Sequence, residues 1–332
     1  MSNRLVKDNS LNCFQLVITS LAAQQGVDKE ELWFQSGLYF DVINNKILLD
    51  YQYKTLEEQF GENITFNTFN FNNDKDCLKT LDEHLMNENS VAVNVDVFEL
   101  EYSVFFQEEH EQHLIEVYDK VKDKYQIYDH YYHYYGEITE DELKKGVSSY
   151  LINFPEEELK IYSLTVNPGN QKLSMEQLLG IIQENYNVML GNWEVKNKDL
   201  KGYIGICGLR EVKKSLVHTI NNTFDTKQEL YNELSVWFNS INNMSNSRTN
   251  FYRTLKKYIP EYDVSFLLES SQSWSSLGNM LLKGFHTDSL SKMSDRIEKR
   301  IDKLIHCENN SLNNLKSIIE SLDSNILKKS SQ

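Results

Sequence analysis

The sequence predicts an α+β domain, an N-terminal helix followed by an antiparallel sheet, and after it a mainly α-helical second domain. Leu11 to Gln25 places apolar residues at Phe14, Val17, Ile18 and Leu21, the spacing of a helix with one buried face. Further on, several short segments alternate apolar and polar residues with period two, as half-buried strands do. After residue 170 the alternation gives way to three- and four-residue steps, the mark of amphipathic helices.

Taken in order, Gly26 suits the C-terminal end of the first helix, and Cys13 falls near its N-terminus. Val91-Ala-Val-Asn-Val-Asp-Val97, His113-Leu-Ile-Glu-Val-Tyr118 and Tyr125-Gln-Ile-Tyr-Asp129 read as strands. The charged run Asp119-Lys-Val-Lys-Asp-Lys124 reads as the hairpin connection between the last two. Thr139-x-x-Glu142 is a capping box that opens a helix, and Lys160 to Val166 is a further strand. Asn167-Pro-Gly-Asn170 is the clearest break in a chain with only 3 prolines, which sets the expected boundary between domains over 1–168 and 169–332. Beyond it, Ser174-x-x-Gln177 and Asp225-x-x-Gln228 are N-cap signals. Leu290, Met293, Ile297, Ile301 and Leu304 line one helix face, and the tail after Cys307 reads as a last amphipathic helix with a frayed end.

The composition narrows the function classes. At 332 residues, with 40% hydrophobic and 25% charged residues, the chain is long enough for two folded cores. No run approaches the roughly 20 apolar residues of a membrane span, and Met1 to Ser10 lacks a signal peptide's apolar core; a cytoplasmic location without membrane association is expected. Cys13, Cys77, Cys207 and Cys307 form no C-x-x-C pair, so reduced thiols are expected. A net charge of -15 argues against nucleic-acid binding. Residues 1–170 hold 31 acidic against 13 basic side chains, and residues 171–332 hold 18 against 21. The mildly basic second half suits an acidic protein partner, although solvation of exposed helices accounts for any single Lys. Nothing in the sequence sets the oligomeric state.

The candidate chemistry is that of a thiol nucleophile. A thiol attacks carbonyl carbon as its thiolate, a form favoured by a helix N-terminus and by a nearby imidazolium. Cys13 has the first feature by position. His113 opens one strand of the hairpin and Asp129 closes the next, so antiparallel pairing can bring them side by side, with the carboxylate orienting the ring. The plainer reading is a small core cysteine and a hydrogen-bonded histidine.

Asn12-Cys-Phe-Gln-Leu-Val-Ile-Thr-Ser-Leu-Ala-Ala-Gln-Gln-Gly26, with Glu31-Leu-Trp-Phe-Gln-Ser-Gly37 behind it, resembles the opening of the butirosin-biosynthesis acyltransferase family, itself similar to papain-like bacteriocin-processing peptidases. Val95-Asp96, Leu100-Glu-Tyr102, His113-Leu-Ile-Glu-Val-Tyr118 and Tyr128-Asp129 resemble that family's pattern around its catalytic His and Asp. Gly205-Ile-Cys-Gly-Leu-Arg210 and Arg248-Thr-Asn-Phe-Tyr-Arg253 are similar to its helical C-terminal domain. The resemblance implies a papain-like catalytic domain and a Cys13, His113, Asp129 triad. It further implies that the cysteine takes an acyl or aminoacyl group from the phosphopantetheine thioester of an acyl or peptidyl carrier protein and hands it to a small amine or aminoacyl acceptor, as in antibiotic biosynthesis. No bound cofactor is implied. Asp96 and Tyr102 become substrate-binding candidates, and Tyr131 and Tyr132 candidates for a channel wall. Papain-like enzymes place a glutamine before the nucleophile as oxyanion donor; here the segment is Lys7-Asp-Asn-Ser-Leu-Asn12, which leaves Asn9 or Asn12 with the Cys13 backbone N–H.

A cysteine peptidase or thioesterase would use the same parts, and a catalytically idle binding protein could keep the same shell. His110-Glu-Gln-His113 and His130-Tyr-Tyr-His133 do not match H-E-x-x-H, and an i,i+3 pair on extended chain points to opposite faces, so no metal is expected. Gly202-Tyr-Ile-Gly-Ile-Cys-Gly208 lacks the Lys-Ser/Thr of a phosphate loop and reads as close helix packing.

Overall fold

The computed structural model describes residues 5–44, 46–61, 63–87, 89–167, 172–193 and 202–330. In chain order its elements are α1 (Cys13–Ala23), β1 (Tyr39–Ile43), β2 (Lys46–Asp50), α2 (Leu56–Phe60), β3 (Ile64–Phe71), α3 (Asp74–Met86), β4 (Val91–Asp96), β5 (Gln112–Val121) and β6 (Lys124–Asp129). There follow β7 (Tyr134–Thr139), α4 (Glu140–Asn153), β8 (Leu159–Val166), α5 (Met175–Leu190), β9 (Tyr203–Ile204), α6 (Gly205–Asn221), α7 (Lys227–Tyr258), α8 (Ser265–His286) and α9 (Ser294–Ser330). The result is an α+β arrangement with antiparallel sheets and a helical C-terminal region. The chain forms two compact units, Met1–Leu32 with Leu56–Lys172, and Trp33–Thr55 with Leu173–Gln332. The expected boundary at residue 168 lies outside the described residues. The division is not consecutive, since Trp33–Thr55 packs with the second unit.

The first unit is built on a six-stranded sheet in the order β3-β8-β4-β5-β6-β7, every neighbouring pair antiparallel. Period-two alternation sends Val91, Val93 and Val95, Ile115 and Val117, and Tyr125 and Ile127 into one core with Cys77 and Leu81 of α3 and Leu143 and Val147 of α4. On β5 the intervening Glu116 points to the opposite face, where it meets Gln24 just beyond α1. The β5–β6 pairing runs to Val121↔Lys124, so the connection is only Lys122-Asp123 rather than Asp119–Lys124. The strands outrun the core there, so that even Val121 at the end of β5 is exposed while backbone pairing continues. Thr139 and Glu142 form the expected capping box of α4.

In the second unit β2, β1 and β9 form a three-stranded antiparallel sheet packed with the helices. Trp237, Trp274, Leu277, Ile297, Ile301 and Leu304 are central to its core. The helix N-cap before Lys227 is Thr226, one residue past the expected Asp225, because its hydroxyl reaches the Glu229 N–H. The segment through Leu304 and the tail after Cys307 are one continuous helix, α9, rather than two. Gly205 has φ 63, and a Cβ there would lie 2.1 Å from the Met189 carbonyl oxygen, in keeping with close packing of the glycine-rich segment. Among the described residues no helix is long and apolar enough to cross a membrane.

One buried ion pair organises this helical core. Arg248 donates from Nε to Glu308 Oε1 at 2.9 Å and from Nη1 to the Gly37 carbonyl at 2.8 Å, and Trp274 Nε1 donates to the same Glu308 oxygen at 2.7 Å. Removing one partner leaves a charge with no counter-ion out of reach of water. Glu308→Ala should therefore cost about 3–5 kcal/mol, and Arg248→Met combined with Glu308→Leu should recover much of it. Urea unfolding followed by the fluorescence of the chain's 4 tryptophans measures both; a loss under about 1 kcal/mol in Glu308→Ala would show that the pair is not structural.

Candidate active site

The site is assembled at the start of α1 and at adjacent ends of β5 and β6. Asn12 N-caps α1: its Oδ1 accepts the Gln15 N–H at 2.9 Å, and Gln15 Oε1 accepts the Asn12 N–H at 3.1 Å. Cys13 is thus the first helical residue, half-buried. No acidic residue occupies the first turn, so no local carboxylate offsets the positive end of the helix dipole beside the thiol.

His113 lies on β5 and Asp129 ends β6. The register Glu116↔Tyr128, continued one step, sets Asp129 opposite Ile115, so His113 is its diagonal neighbour on the same face. His113 Nε2 lies 2.7 Å from Asp129 Oδ2, with the ring almost wholly and the carboxylate wholly buried. The other carboxylate oxygen accepts the N–H groups of Tyr131 at 3.1 Å and Tyr132 at 3.0 Å, so the turn after β6 holds the aspartate in place. Since Nε2 is engaged by Asp129, Nδ1 is the nitrogen left for the Cys13 thiol, which interacts with the ring. Burial by itself works against a charged ring, but the Asp129 charge and hydrogen bond, with Cys13, outweigh it and the imidazole pKa is pushed up to about 10. Burial raises the carboxyl pKa of Asp129, yet the His113 charge, its hydrogen bond and the Tyr132 amide hold it below the ordinary value.

Cys13 and His113 line a cavity of about 210 Å³ together with Phe14, Tyr150 and Tyr162, the amides Asn94 and Gln112, and the charged Glu157, Glu158 and Lys160. Glu157 and Glu158 are exposed, at its rim. The other residues singled out from the sequence lie elsewhere. Tyr131 and Tyr132 flank the His113 ring, with centroids 5.9 and 5.0 Å away, but do not line the cavity. Tyr102 stacks on Tyr134 at 4.0 Å with its hydroxyl buried beside Asp129. Asp96 is fully buried, accepting from His110, Ser149 and the Phe98 N–H. Asn9 is exposed; Asn12, next to Cys13, accepts the Gln15 N–H with its side-chain oxygen Oδ1, whereas holding an oxyanion would fall to its Nδ2 donor. The histidines of the two H-x-x-H pairs engage four separate partners: Asp96, Asp129, Glu116 and the His130 carbonyl. Among the described residues no group of three or more His, Cys, Asp or Glu could hold a metal ion.

Sequence reasoning missed most of the cavity wall. Asn94 was visible as a polar position in an apolar strand, and its side chain accepts the Lys160 N–H at 3.1 Å. Glu157 and Glu158 follow α4 in a loop, where no periodicity marks them. Residues 12–130, just over a third of the chain, match the family described as Butirosin biosynthesis protein H, N-terminal, which supports the resemblance read from the sequence. Comparison with curated proteins finds no match.

The charge coupling within the dyad is testable by pH. The His113 value of about 10 lies above the ordinary 6.5, so its contribution to stability is full below pH 6.5 and is lost as pH rises through about 10. Asp129 lies below its ordinary 3.8, so its contribution is present above that pH and lost as pH falls through the folded value. Asp129→Asn should lower the His113 pKa from about 10, because burial is then opposed by Cys13 alone, and NMR titration of the imidazole reads it; an unshifted value would mean that Asp129 does not charge the ring.

Proposed function

From the family match over residues 12–130, we propose that the protein is a cysteine-dependent acyltransferase that forms amide bonds, on a papain-like catalytic domain. The observation that carries this reading is the buried His113–Asp129 hydrogen bond at the same cavity as Cys13, at a helix start. Cys13 attacks the carbonyl of a carrier-protein thioester as its thiolate, and the tetrahedral oxyanion takes a hydrogen bond from the Cys13 backbone N–H, one of the donors that the first turn of a helix leaves unused. As the intermediate collapses, the phosphopantetheine thiol leaves with a proton from the His113 imidazolium, and the acyl group stays on Cys13 Sγ. The acceptor, once its ammonium proton has passed to solvent, attacks this thioester as the free amine, His113 takes the proton that the new amide nitrogen sheds, and the Cys13 thiolate departs. Asp129 keeps the ring oriented throughout.

Exchange of one thioester for another is nearly isoenergetic, so a single thiol suffices for both half-reactions. Glu158 is paired with Lys160 at 3.6 Å, which leaves Glu157 as the net charge of the rim and favours a substrate that arrives positively charged, as amines do at neutral pH. The acidic face of a carrier protein suits the mildly basic 171–332 segment. The setting proposed is antibiotic or other natural-product biosynthesis in the cytoplasm.

Mixing the enzyme with an acyl-loaded carrier protein should give a Cys13 adduct by intact-mass analysis, absent in Cys13→Ala, and the adduct should discharge faster when the acceptor amine is added. His113→Ala should lower turnover by about 10²–10⁴-fold, with Asp129→Asn retaining a measurable rate. An adduct that hydrolyses equally fast with every amine, or cleavage of peptides without any carrier, would replace this reading with a hydrolase; no adduct and unaltered binding in Cys13→Ala would favour an idle binding protein.

A further inference from the structure

Outside the dyad, a second titratable pair is sealed in the first unit. Glu116 and His130 side chains are both 0% exposed, with His130 Nε2 at 2.9 Å from Glu116 Oε2. His130 Nδ1 accepts the Val6 N–H at 3.1 Å, so that nitrogen holds a lone pair and the ring proton sits on Nε2, donated to the carboxylate. The other Glu116 oxygen accepts from Gln24 Nε2 at 2.8 Å, and Gln24 Oε1 accepts from Ser90 at 3.2 Å. The chain of bonds thus runs from backbone Val6 to Ser90 with both buried ring nitrogens and both carboxylate oxygens engaged.

Its attachment points bracket the reacting groups. Val6 precedes Cys13 and Gln24 caps the far end of α1, while Glu116 lies just past His113 on β5 and His130 directly follows Asp129. Apolar contact between α1 and the sheet is non-directional and tolerates small slips, whereas hydrogen bonds at both ends of the nucleophile segment do not. We propose that the Glu116–His130 pair is a positioning device, which locks the helix carrying Cys13 in register with the strands carrying His113 and Asp129. The proposal rests on Cys13 being the nucleophile.

Alkylation by iodoacetamide tests it with no acyl donor, peptide mass mapping separating Cys13 from Cys207. The readout is the Cys13 rate at pH 6 relative to pH 9, with circular dichroism and melting temperature followed in parallel. Glu116→Gln should keep the wild-type ratio, because its carbonyl still accepts from His130 and a turned-over Gln24 accepts from its amide. Glu116→Leu should lower the pH 6 rate about tenfold or more, the scale of a small misplacement of reacting groups, with little change at pH 9. Gln24→Ala, at an exposed position, should give a smaller fall in the same direction, and it decides the matter if Glu116→Leu does not fold. Variants that melt earlier but keep the wild-type ratio would overturn positioning and leave a structural pair only. A wild-type Cys13 no faster at pH 6 than Cys207 would instead sink the nucleophile reading itself.

Discussion

The 2.7 Å hydrogen bond between His113 and Asp129 constrains the end of the first unit's sheet where β5 begins and β6 ends. A carboxylate sealed from water must have its acceptor sites filled, and here a ring nitrogen fills one oxygen and two backbone N–H groups of the following turn fill the other. That requirement ties the β5–β6 register to the shape of the Tyr131–Tyr132 turn. It also decides which ring nitrogen remains for Cys13. A register slip of one residue would turn His113 to the opposite face of the sheet and leave Asp129 buried without its partner.

The second unit solves a similar problem with a different pair. Arg248 and Glu308 are far apart in sequence and meet inside a helical core, with Trp274 and the Gly37 carbonyl completing their hydrogen bonds. Gly37 lies in the Trp33–Thr55 segment, so part of the sheet chain is built into the helical unit. The chain therefore passes between the units three times. Truncation at the sequence break near residue 168 would strip the helical unit of β1 and β2, which cover its core through Leu38, Phe40 and Leu49.

A transferase and a hydrolase built on the proposed residues would share a thiol, an imidazole and a carboxylate, so those groups alone do not choose between them. What differs is which nucleophile reaches the acyl-enzyme. Under the proposed reading, Glu157 beside the Glu158–Lys160 pair at 3.6 Å leaves the cavity mouth net acidic, a field that would favour a cationic amine over neutral water. The aromatic walls Phe14, Tyr150 and Tyr162 bring apolar surface close to the thiol, which strengthens the charge interactions there.

The sequence alone determined the α+β order, the first helix with Cys13 at its start, the alternating strands, and His113 and Asp129 as residues that antiparallel pairing could join. These are local properties, carried by periodicity and caps within a few residues of one another. Cap signals were read to within one residue even where a neighbour won, as Thr226 did over Asp225. Tertiary structure alone decided that Asp96 is a buried acceptor for His110 and Ser149, that Glu157, Glu158 and Lys160 meet Cys13 at one cavity, and that Trp33–Thr55 joins the helical unit. It also decided that Glu116 and His130 find each other as hydrogen-bond partners in the interior. Each of these depends on partners distant in the chain, and periodicity reports which face of an element is buried without saying against what.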